Sequence, residues 1–148
     1  MRLAPLTCLP FVWVTLVFVA WLTVPQCARG EQVVEAIHFA RGASSAEVRG
    51  AVVRGERAFY TFEARAEQRL TLHIVSLENN AVFQVYAPGA RPETRDDSME
   101  IIGQALAGVG EGNDTRRWTG ILPQSGSYLV VVGATRGNAT YRLTIAVH

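Results

Sequence analysis

Residues 70–76 read Leu-Thr-Leu-His-Ile-Val-Ser, and their alternation sets the fold class. Successive side chains of an extended chain point to opposite faces, so Leu70, Leu72 and Ile74 share one face while Thr71, His73 and Val75 share the other. One face is apolar and the other mixed, the mark of a half-buried strand. The same period of two runs outward in both directions. Upstream it predicts strands over 35–39, 46–53 and 58–64, the last with Tyr60 and Phe62 inward and Thr61 and Glu63 outward. Downstream it predicts strands over 82–87, 117–122, 128–133 and 140–147. Arg41-Gly42, Arg54-Gly55-Glu56, Asn79-Asn80 and Pro88-Gly89 supply the turns between them. The run Tyr128-Leu-Val-Val-Val132 is apolar at every position, which predicts a central strand packed on both faces or flanked on both edges. No helix-length amphipathic pattern and no internal repeat interrupts the series. The expected fold is all-β, an antiparallel sandwich of roughly seven to nine short strands. Residues 90–114 are the one long irregular stretch, with one short strand or helical turn expected near 99–106.

The first thirty residues belong to a different kind of segment. Met1 and Arg2 precede an apolar run, FVWVTLVFVAWLTV, over 11–24; Pro25 then breaks it, and the small residues Ala28 and Gly30 follow. That order predicts a secretory signal peptide over 1–30 and a sandwich domain over 31–148. The apolar run of fourteen residues is shorter than the ~20 that a spanning helix requires, so no stable membrane anchor is expected. Gln26, in front of Cys27, is not the small residue that lipid attachment uses. Both cysteines, Cys8 and Cys27, leave with the leader, so a periplasmic or secreted product rests on its core without disulfides.

The chain contains fourteen arginines and no lysine, a composition that fits a GC-rich bacterial genome. Beyond residue 30, twelve arginines face thirteen carboxylates, a formal net charge of −1. Bulk attraction to nucleic acid or to an anionic membrane is therefore not expected. Each cationic contact would come from a planar, multi-donor guanidinium, a good match for carboxylates.

Nothing in the chain assembles into catalytic chemistry, and no enzyme, cofactor or metal site is expected. Ser125 stands in QSGSY, without the flanking glycines of a nucleophile elbow. His38, His73 and His148 have no ligand spacing to one another. Asp96, Asp97 and Glu100, like Glu111, Asn113 and Asp114, lack the alternating oxygen pattern of a calcium loop and read as solvated turns. Two stretches stand out instead. Leu122-Pro-Gln-Ser125-Gly126-Ser-Tyr128 leads into the apolar strand, and its tyrosine is either a buried sandwich corner or a partner contact. Gly133-Ala-Thr-Arg136-Gly-Asn138 links the last two strands. If those strands are neighbours it is a hairpin loop that presents Arg136 with little freedom to lose on docking.

The order of these motifs resembles two related groups. Ile37-His-Phe-Ala-Arg-Gly-Ala-Ser-Ser45, then Gly50, Tyr60-Thr-Phe62, the strand from Gln68 to Leu72, and Leu122-Pro-x-Ser-Gly-x-Tyr128 are similar to bacterial pre-peptidase C-terminal β-sandwich modules and to the periplasmic inhibitors of goose-type lysozyme. Phe83, Tyr86, Pro88-Gly89 and the Thr135-Arg136 loop favour the inhibitors. That resemblance implies a protein partner, a lysozyme, whose carboxylate-lined cleft is blocked by inserted loops. The partner-binding set it implies is Ser125, Gly126, Tyr128, Arg136 and Asn138, projecting together from neighbouring ends of two adjacent strands. The alternative is a carbohydrate- or cell-wall-binding sandwich, for which a row of exposed aromatics is expected. A structural subunit without a soluble ligand is a third reading.

Overall fold

The computed structural model describes residues 33–96 and 98–148, so the leader expected over 1–30 lies outside the described residues. Among the described residues there are ten strands: β1 (Val34–Ala36), β2 (Ser45–Val52), β3 (Arg57–Ala64), β4 (Arg69–Ser76), β5 (Ala81–Tyr86), β6 (Arg91–Arg95), β7 (Ser98–Ile102), β8 (Arg117–Ile121), β9 (Gly126–Ala134) and β10 (Ala139–Val147). Two four-stranded sheets face each other, one ordered β1-β3-β9-β5 and the other β2-β10-β4-β8, while β6 and β7 form a separate hairpin. The pairings are antiparallel apart from β1, which runs parallel to β3. The sandwich expected from the alternation is the fold observed.

The core follows from the faces. Leu70, Leu72 and Ile74 of β4 and Leu143 and Ile145 of β10 point inward against Tyr60, Phe62, Phe83, Val85, Val130 and Val132. Each such side chain contributes about 1.5–3 kcal/mol when removed from water. The register pairs Leu143 with Ile74 and Ile145 with Leu72, so the inward sets of β4 and β10 lie side by side.

The apolar run of β9 has its explanation in a second layer. Tyr128, Val130 and Val132 face the other sheet, while Leu129 and Val131 join Phe59 and Tyr86 in a smaller cluster on the outer face. Met99, Ile101, Ala90 and Ala105 pack over that cluster. The β6–β7 hairpin is therefore a lid on one sheet: β7 lies where one short strand was expected, β6 corrects the expectation of an irregular stretch over 91–95, and none of the ten strands occupies 103–114. Its apolar content is low because it covers one face only and leaves the other to water. The stretch after it also has a structural role. Backbone bonds from Phe83 N to Thr115 O, Val85 N to Val109 O, Leu106 N to Val85 O and Ala87 N to Gln104 O run along the free edge of β5 and close it.

The turns expected at 54–56 and 79–80 are present, but neither they nor 133–138, a hairpin only if its strands were neighbours, join strands of one sheet. Strands β2, β4 and β10 belong to one sheet and β3, β5 and β9 to the other, so all three turns cross between sheets. Alternation decides which face of a strand is buried; it does not decide the strand's neighbour.

Candidate functional site

Strand β9 carries the two candidate motifs at its two ends. Ser125 and Gly126 sit where it begins, and Arg136 and Asn138 follow where it finishes at Ala134. Its nine residues make eight steps of roughly 3.3 Å, which separate the ends by about 26 Å. The expectation that both motifs project together from adjacent strand ends is corrected on this ground: β9 and β10 lie in opposite sheets, and one strand length divides the motifs.

At the first end the residues build a corner. Tyr128 is fully buried, at 0% exposure, and its ring stacks on Phe62 with centroids 5.6 Å apart. Its hydroxyl donates to the Gln124 carbonyl at 2.6 Å and accepts from the Gln124 N–H at 3.2 Å, which satisfies it within its own chain. The Ser125 Oγ is exposed and accepts from the Ala66 N–H at 2.9 Å. Gly126 has φ +144°, and a Cβ there would stand 2.9 Å from the Pro88 Cβ, so the backbone conformation and the space both call for glycine. Of the two readings open for Tyr128, full burial selects the corner. A side chain without exposed surface cannot touch a partner.

The second end is organised by Asn80, a polar residue buried to 3% exposure. Its Nδ2 donates to the Arg136 carbonyl at 2.6 Å and to the Asn138 carbonyl at 2.9 Å. Its own carbonyl accepts from the Thr135 N–H at 2.9 Å. Ser76 Oγ completes the clamp by accepting from the N–H groups of Asn80, at 3.0 Å, and Ala81, at 3.1 Å. Asn138 Oδ1 accepts from the Arg54 N–H at 3.0 Å, which ties in the β2–β3 turn. Arg136 and Asn138 are exposed, and among the described residues Arg136 has no ion pair. The turn is thus fixed through its backbone while the guanidinium remains in water. Sequence reasoning passed over Asn80 as an ordinary turn residue; its neighbour Asn79, at φ +51°, does fill that ordinary role.

Other candidates find plainer places. His38 and His148 are exposed, and His73 lies half-buried with Nε2 3.3 Å from Arg117. Among the described residues no three His, Cys, Asp or Glu side chains gather as a metal set. All four tyrosines, Tyr60, Tyr86, Tyr128 and Tyr141, are buried. Burial pushes the Tyr86 phenol up from its ordinary value, with Glu111 adding to the shift and Arg57 opposing it. Trp118 is half-buried and donates its indole N–H to the Ala107 carbonyl at 3.1 Å. A row of exposed aromatic rings for sugar stacking is therefore not present among the described residues.

No family model matches the chain, and no curated protein matches it. Solved structures do. A periplasmic lysozyme inhibitor of g-type lysozyme from Aeromonas hydrophila, PliG, is 30% identical with a TM-score of 0.61, over 78% of this chain and 96% of that one. PliG from Salmonella Typhimurium is 22% identical with a TM-score of 0.54, over 78% and 97%. A mutant of the Escherichia coli PliG is 22% identical with a TM-score of 0.52, over the same shares. At 22% identity these last two show the fold alone.

Proposed function

Since the chain belongs to the family of periplasmic inhibitors of g-type lysozyme, we propose that it is itself an exported inhibitor of a lysozyme, goose-type by preference, and not an enzyme. Residues 1–30 act as the leader and 31–148 as the mature sandwich in the periplasm or beyond. Inhibition works by insertion of the Arg136 turn into the enzyme's glycan cleft. A cleft that hydrolyses glycosidic bonds holds a pair of carboxylates, and a guanidinium bonds such a group through two parallel N–H donors.

One observation carries this reading: Arg136 stands exposed on a turn whose backbone is clamped by a buried Asn80. An arginine already ordered at its base loses less freedom on docking. Asn138 shares the surface, whereas Ser125, Gly126 and Tyr128 serve as scaffold at the far end.

The test is lysis of cell walls by goose-, chicken- and invertebrate-type lysozymes in the presence of purified residues 31–148. Slowing of the goose-type enzyme at micromolar inhibitor is the expected result; no slowing of any of the three removes the proposal. Arg136→Ala should weaken inhibition by ~2 kcal/mol or more. Retention on peptidoglycan or chitin without an effect on the enzymes would favour the glycan-binding alternative.

A further inference from the structure

Arg136 does not stand alone at its end of the sandwich. The register pairs Ala139 with Val52, Arg57 with Gly133 and Ala81 with Ala134, so the turns after β2, β4 and β9 share one end. Each of two of them carries an exposed arginine, Arg54 and Arg136, and Arg116 enters from the segment before β8. The dipeptide Asn79-Asn80 bonds the segments of Arg116 and Arg136, and Asn138 links the second of these to Arg54. Asn79 Oδ1 accepts from the Arg116 guanidinium at 3.0 Å, and the Arg116 carbonyl is held by the Ile74 N–H at 2.9 Å. Asn80 Nδ2 holds the carbonyls of Arg136 and Asn138, and Asn138 Oδ1 in turn holds the Arg54 N–H.

The neighbouring charges sharpen the choice. Arg57 pairs with Glu111 at 3.4 Å, and Arg117 lies against His73 at 3.3 Å. Arg54, Arg116 and Arg136 have no ion pair among the described residues. The acids on the same segments are Glu56 and Asp114, both exposed, and Glu78, whose Oε2 accepts from the Thr140 N–H at 3.4 Å. Three guanidiniums without ion pairs against three carboxylates make a weak field. Selectivity at this end therefore comes from where the guanidiniums are held, and bulk attraction adds little.

We infer that Arg54, Arg116 and Arg136 form one composite anchor for several carboxylates of a partner protein's groove, with Asn80 as the positioning residue of the Arg136 turn. This rests on the inhibitor reading and extends it from one arginine to three. The partner's chemistry follows: its carboxylates must be spread over as wide an area as the three turns, not paired at a single point.

The experiment measures binding of residues 31–148 to whichever lysozyme the parent slows. Its variants are Arg54→Ala, Arg116→Ala, Arg136→Ala, Asn80→Asp and the double variant Asn80→Asp/Arg136→Ala. Melting curves verify that each is folded. Each arginine variant should bind about tenfold or more weakly. Asn80→Asp replaces a donor of two bonds by an oxygen facing two carbonyls, and should weaken binding to a similar degree. A residue that acts through Arg136 gives a non-additive cycle, so the double variant should bind within about twofold of Arg136→Ala. If Asn80→Asp does not fold, Asn138→Ala with Arg54→Ala supplies the same cycle at an exposed side chain. Parent-like binding by Arg54→Ala and Arg116→Ala, or an additive cycle, overturns this inference and leaves the inhibitor reading standing. A parent that binds none of the enzymes overturns both.

Discussion

The hydroxyls of Tyr60 and Tyr141 meet 2.7 Å apart inside the sandwich, one from each sheet, directly beneath Gly50. Both tyrosines are buried, so each hydroxyl depends on the other for its partner. Removing one leaves a buried polar group unsatisfied, which costs about 1–3 kcal/mol, whereas removing both is close to neutral. Tyr60→Phe and Tyr141→Phe should each lower stability, and the double variant should recover much of the loss. Urea melts of the four proteins check this cycle; strict additivity would refute the pairing.

The same pair makes the fold sensitive to alkali. Burial, then the hydrogen bond with Tyr60, pushes the Tyr141 phenol well above its ordinary value near 10. A raised folded value means that the folded state keeps a proton which the unfolded chain releases. The contribution is fully present below pH 10 and is lost as pH rises from there toward the folded value. Burial shifts Tyr86 in the same direction. Tyr141 should reduce stability by about 1.4 kcal/mol per pH unit through that window, and Tyr86 should add to the fall. Melting temperature followed from pH 8 to 12 should fall above 10, and fall less steeply in the Tyr60→Phe/Tyr141→Phe variant.

Gly50 belongs to the same arrangement. A Cβ at that position would stand 2.5 Å from the Tyr141 hydroxyl and 3.0 Å from that of Tyr60, both held in the core. Gly50→Ala should push the pair apart and destabilise the sandwich by about 1–3 kcal/mol. A thermal melt at pH 7 measures it, and no change would mean that β2 shifts freely at this point.

Tyr128→Phe separates scaffold from surface. The ring keeps its place on Phe62, and only the two bonds to Gln124 disappear. Stability should drop by about 1–2 kcal/mol, while inhibition per folded molecule stays at the parent level. A selective loss of binding in a fully folded variant would return this residue to the interface.

The lid hairpin offers another check. Met99 and Ile101 cover Phe59, Leu129 and Val131 on the outer face of one sheet. Ile101→Asp should expose that cluster, lower stability by about 2 kcal/mol or more, and raise binding of an apolar dye. Unchanged dye binding would contradict the lid.

Much of the architecture was legible from local pattern. Alternation over 70–76 and 140–147 marked β4 and β10 and their buried faces, because side-chain direction in a strand depends on neighbouring residues alone. The five apolar residues from Tyr128 announced the central strand for the same reason. The β6–β7 lid escaped notice because a hairpin that buries one face with Met99 and Ile101 looks, in composition, like a solvated loop.

The order of residues by itself determined where the strands of the two main sheets run and which side of each is apolar. Only the tertiary structure decided that β9 and β10 belong to opposite sheets, that Ser125 and Arg136 stand a strand length apart, and that Asn80 clamps the Arg136 turn. Strand pairing joins residues far apart in the chain, and its outcome rests on the competition among all possible partners. No window of neighbouring residues contains that competition.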